Sequence, residues 1–205
     1  LKESPVRPLT TVQQTVSISA AQIATPPEIA LSLRGGAGTA KVARFVPALG
    51  AVAMDGSLSG WESCEPVVFQ ADKNQTVEVR AAYRPDRLLL RWHARLATKF
   101  DPRPLPPLER IFTHDQLADT VSFYVQGDAN AKPGGAAAGR PGDARFVFGI
   151  FKDAGGKVQP VGVGFHPEWS GAAKPQLYRT PVGEAKFAHV GAIAGAQLAH
   201  TIDAD

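Results

Sequence analysis

The chain has 205 residues, of which 22 are basic and 19 acidic, giving a formal charge of +3, and 44% are hydrophobic. That is enough for one full β-sandwich with an extra segment, and the small positive excess is not gathered into a block, which argues against a nucleic-acid partner. Seventeen prolines and 20 glycines imply many turns rather than long helices, and no stretch approaches the ~20 consecutive apolar residues of a membrane helix.

Residues 1 to about 28 carry Pro5, Pro8, Pro26 and Pro27 among Thr, Ser, Gln and Ala, a composition suited to an extended linker or an edge strand. Glu28–Leu33 and Lys41–Val46 flank a glycine loop, 34–40, and read as a hairpin. The loop is not a phosphate-binding one, since Ala40 precedes Lys41 and Val42 follows it. We therefore expect an arm over 1–40, with a possible hairpin strand, and a β domain over 41–205.

Asp55-Gly56 is a strong turn signal, because glycine reaches positive φ freely and the aspartate can bond its own backbone. Leu58 and Trp61 are expected to fold back as a plug, with Trp61 a buried cap rather than a stacking platform. Cys64 has no partner in the chain and is expected as a packed or partly exposed thiol.

From Thr76 the alternation is that of strands. Val77, Val79 and Ala81 share one face, the stretch 83–87 turns, and Leu88, Leu90, Trp92 and Ala94 form the buried face of the next strand. Leu89, Arg91, His93 and Arg95 then lie on the opposite, solvated face. A proline-rich loop, Asp101 to Leu108, follows; long loops are where binding collects. Asp119–Gln126 alternates into a strand. Asp143–Lys152 reads as a buried one, with Phe146, Phe148 and Ile150 on one side and Val147 and Phe151 on the other. Val158–His166 and Gln176–Thr180 add two more, making seven or eight strands and no amphipathic helix. The class is all-β: a single antiparallel β-sandwich, immunoglobulin- or jelly-roll-like, with an extended N-terminal arm.

Three segments in order, Asp-Gly-x-Leu-x-x-Trp at 55–61, Tyr-x-x-Asp-x-Leu-x-Leu-x-Trp at 83–92 and Asp-Thr-Val-x-Phe-x-Val at 119–125, resemble family 9 carbohydrate-binding modules and the related DOMON-like sandwiches, over about residues 45–205. Ser122 stands where that family carries a glutamate. The resemblance implies a non-catalytic module of a larger secreted or periplasmic protein, binding polysaccharide or oligosaccharide between aromatic side chains. A pyranose stacks its C–H face on an indole while its hydroxyls need polar neighbours. Gly164–Gly171 suits that best, with Trp169 in a loop beside His166 and Glu168; Arg91, His93, Arg95 and Tyr178 are secondary ligand-binding candidates.

DOMON relatives also include haem-binding electron carriers, which need axial ligands on facing elements. Met54, the one methionine, sits beside a turn and reads as packing, so no cofactor is expected, calcium being the metal the resemblance leaves open. Enzymatic signatures are missing: there is no Gly-x-Ser-x-Gly or His-Glu-x-x-His, and Asp115 with Asp119, or Asp101 with Glu109, read as surface carboxylates. A docking domain between neighbouring domains of the same polypeptide is the remaining alternative. The ending Thr201-Ile202-Asp203-Ala204-Asp205 reads as the entry to a strand, so the natural polypeptide is expected to run on.

Overall fold

A computed structural model describes residues 10–19, 30–34, 40–44, 46–47, 51–72, 75–96, 99–111, 120–125, 143–166, 176–180 and 183–204. It is all-β, with fourteen strand segments among those residues and, besides them, one 3-10 turn at Leu108–Arg110. The strands are β1 Thr10–Ser19, β2 Ala30–Arg34, β3 Ala40–Arg44, β4 Val46–Pro47, β5 Val67–Asp72, β6 Gln75–Arg84 and β7 Arg87–Leu96. They continue with β8 Thr120–Val125, β9 Ala144–Lys152, β10 Val158–His166, β11 Gln176–Thr180, β12 Gly183–Phe187, β13 His189–Ala192 and β14 Gln197–Ala204.

Two six-stranded sheets carry the fold. The first runs β14-β1-β7-β6-β4, with β5 also on β6, and the second runs β13-β10-β9-β8-β2-β3; β11 and β12 form a separate hairpin. Pairing is antiparallel except for the two-residue contact of β4 with β6 and an isolated Pro104–Lys152 bridge. The expected hairpins form: β2 pairs β3, and β6 pairs β7 from Thr76↔Arg95 to Arg84↔Arg87 around Pro85-Asp86.

Period-two alternation puts Val79 and Ala81 of β6 and Leu88, Leu90 and Trp92 of β7 on one face, as expected. They meet Phe123, Phe146 and Phe148 of the second sheet in the main core. Trp92 sits 5.6 Å from Phe123 and 5.3 Å from Phe148 in tilted contacts. These offset ring geometries add to the burial energy of the largest side chains. The far face of the second sheet is covered too. Val147, Phe151, Val163 and Phe165 are buried there with Ile111, against Leu105 and Leu108 of the proline-rich segment. That segment is held along β9 by Leu105 N–H to Lys152 O and Lys152 N–H to Arg103 O, both 2.8 Å.

Composition suits residues 10–19 to an extended linker or an edge strand; they form a strand, β1, but an interior one, hydrogen-bonded to β7 and β14. Its Val12, Gln14 and Val16 face inward, and the Gln amide between two valines is what blurs the apolar alternation in the sequence.

Candidate functional site

The described sequence candidates do not gather at one place: three lie on β7 and His166 ends β10. Glu168 and Trp169 lie outside the described residues, and of Tyr178 only the backbone is described, paired with Ala185 in β11–β12. Arg91, His93 and Arg95 do share the outer face of β7, but that face is not the solvated one expected of it. Leu89 and Arg91 are buried, at 2% and 3% exposure, because residues 51–64 fold across it; Arg95 alone of the three is exposed.

The cover is built from short-range turns. Asp55 Oδ1 accepts the Ser57 N–H at 2.8 Å and Gly56 sits at φ 91°, as the Asp-Gly signal requires. Gly60 is at φ 78°, where a Cβ would also collide with the Ala51 carbonyl, so only glycine fits. Trp61 is fully buried against Cys64, Ala82 and Leu89, and its Nε1 donates to Ala53 O at 2.9 Å. Leu58 is not part of a plug: its side chain is 41% exposed and its carbonyl accepts the Trp61 N–H at 2.9 Å.

Two arginines staple this cover to the sheet. Arg91 donates through Nε to the carbonyls of Gly56 (3.3 Å) and Ser57 (2.9 Å) and through Nη2 to Gln13 Oε1 (2.7 Å). Arg80 donates to the carbonyls of Trp61 and Cys64 and pairs with Glu78 at 2.8 Å. Burial lowers the Arg91 pKa from its ordinary value, against the pull of Glu78. Burial, then the charge of Arg91, keeps His93 below the usual histidine range. Arg91 thus directs both Nε and Nη2 at groups of the protein itself and ties the cover to the sheet.

His166 ends β10. It is 5% exposed, its ring lies edge-on to Phe146 at 5.9 Å, and it stands opposite His189 in the register of β10 and β13 with ring centroids 5.9 Å apart. Burial, helped by His189, lowers its pKa to about 4, so the ring is neutral at pH 7.

Among the described residues, one concavity is lined by none of the sequence candidates. A cavity of about 160 Å³ opens between the sheets, walled by Trp92, Phe100 and Phe148 and by aliphatic side chains including Val12, Leu96 and Ile150. Gln14 and Thr120 are its polar side chains. Gln14 is 1% exposed, and its Nε2 has no hydrogen-bond partner among the described residues. An amide donor left unpaired in such a place costs about 1–3 kcal/mol. Gln14→Leu is accordingly expected to stabilise the protein by about 1–2 kcal/mol, raising the thermal midpoint by about 2–4 °C per kcal/mol. A lower midpoint in thermal denaturation would contradict it. The one sequence signal for this site is a glutamine at inward parity in Val12-x-Gln14-x-Val16.

Among the described residues no three or more His, Cys, Asp or Glu side chains gather as a metal site. Met54 packs against the Trp61 and Leu89 cluster on the outer face, where it behaves as an apolar side chain. No protein-family model matches the chain, and no curated protein or solved structure matches it.

Proposed function

We propose that this chain is a non-catalytic binding module of carbohydrate type, acting within a larger secreted or periplasmic protein. The observation that carries the reading is the end of β10. This strand is anchored on one side by β9 and on the other by β13, and it stops at His166, three residues before Trp169. An indole and polar groups following closely in sequence on a rigid strand would suit a sugar, whose C–H face stacks while its hydroxyls are bonded at the side. The ordered segments that resemble family 9 modules lend support. They fall on the Trp61 cover, the β6–β7 hairpin and β8, all elements of one two-sheet framework.

Retention of the purified protein on insoluble glucan or xylan, or a shift with soluble oligosaccharides in affinity gels, tests the proposal. Trp169→Ala is expected to abolish retention while leaving the unfolding midpoint unchanged. A blank glycan array together with a blank polysaccharide pull-down would end the carbohydrate reading, as would undiminished retention of the Trp169 variant.

A further inference from the structure

We infer that the cavity between the two sheets is a second binding site, for a small single-ring aromatic molecule bearing one hydrogen-bond acceptor. Its volume of about 160 Å³ is close to the ~150 Å³ of an engineered apolar cavity that takes up benzene. Three of its walls are aromatic. Trp92 and Phe148 stand 5.3 Å apart at 44°, and Phe100 closes the lining from the segment after β7. A further ring extends that tilted cluster at ordinary aromatic spacing, which a flexible alkyl chain does not.

Gln14 supplies the specificity. It is all but inaccessible, it lines the cavity, and its Nε2 has no partner among the described residues, so a ligand carbonyl would complete its bonding. Water is a marginal substitute, since a buried water needs two to four polar partners and the lining side chains offer only the minimum, Gln14 and Thr120. A pyranose is a worse one, because each hydroxyl brought into an apolar space needs a partner of its own. The ligand class inferred for this cavity therefore differs from the sugar proposed for Trp169.

Acetophenone and α-methylstyrene make the test. They share a shape, but the second has a methylene where the first has a carbonyl oxygen. By calorimetry, with the Trp92 indole signal followed by NMR, both are expected to bind at one site and move that signal, acetophenone about tenfold more tightly, the effect of one hydrogen bond. Gln14→Leu is expected to erase the preference and keep α-methylstyrene binding, while Trp169→Ala changes neither. Ala94→Phe, which fills the cavity, should abolish both; if that variant does not fold, Ala94→Leu should weaken both. Failure of either compound to bind the wild-type protein at millimolar concentration would overturn the inference. So would a tenfold preference that survives in Gln14→Leu, or NMR shifts confined to residues outside the cavity.

Discussion

Trp61→Ala is expected to cost about 3–5 kcal/mol, the range for truncating a fully buried tryptophan. The loss is large against a total stability of roughly 5–15 kcal/mol. It should act through the cover: the indole is the centre of the cluster with Cys64, Ala82 and Leu89, and its Nε1 bond to Ala53 closes the 53–61 turn. Cys64 provides a local readout. It is the chain's one cysteine, 2% exposed, with burial raising its thiol pKa. Thiol labelling should therefore be slow in the wild-type protein and accelerate in Trp61→Ala under native conditions. Trp61→Phe, which removes the Ala53 bond and part of the ring but keeps an aromatic plug, should cost less, about 1–3 kcal/mol in urea denaturation. A loss below about 1 kcal/mol in Trp61→Ala with unchanged Cys64 labelling would show that the cover does not depend on this side chain.

The second large effect is with pH. His166 is held to about 4 by burial and by His189, against an ordinary 6.5. The unfolded chain therefore binds a proton near pH 6.5 that the folded protein refuses until about pH 4. Stability is thus full above pH 6.5, falls as the pH drops through that interval and levels off below it, the total being about 3 kcal/mol at 1.36 kcal/mol per pH unit. His93 and His200 are also lowered by burial and add in the same direction. Asp55 and Asp101 do not contribute in this window, since both are held below the ordinary 3.8 by hydrogen bonds, from Ser57 and Lys152 respectively. Urea denaturation at pH 7.5, 5.5 and 4.5 should show the decline, and His166→Gln should make it shallower, leaving the part due to His93 and His200. A level profile, or the same slope in the variant, would contradict this account.

How far the sequence is legible depends on the range of the interaction concerned. Pro85-Asp86 closes the β6–β7 hairpin and Asp55-Gly56 turns the cover, because turn chemistry is settled by residues two or three apart. The inward parity of Trp92 follows in the same way from the strand period. Arg91 is the counter-example. On strand parity alone it belongs to a solvated face, yet it is 3% exposed and bonded to Gln13, 78 residues away, and to Ser57, 34 residues away. Among the ligand candidates, His166 suits a sugar's polar neighbour on its position in the sequence, and in the fold its ring is buried against Phe146 and His189.

The amino-acid sequence suffices for the all-β class, for the β2–β3 and β6–β7 hairpins, for the position of the Asp55–Trp61 turn and for the face of β7 that meets the core, though its seven or eight strands fall short of the fourteen segments described. Those are properties of local alternation and of backbone conformations that only certain residues adopt. Three other features arise only in the folded chain: Thr10–Ser19 inserts between β7 and β14, residues 51–64 bury the charged face of β7, and Gln14 lines a cavity with Trp92 and Phe148. Each of these depends on which distant strand becomes a neighbour, and strand pairing is selected by the summed burial of whole faces, which no short stretch of the chain encodes.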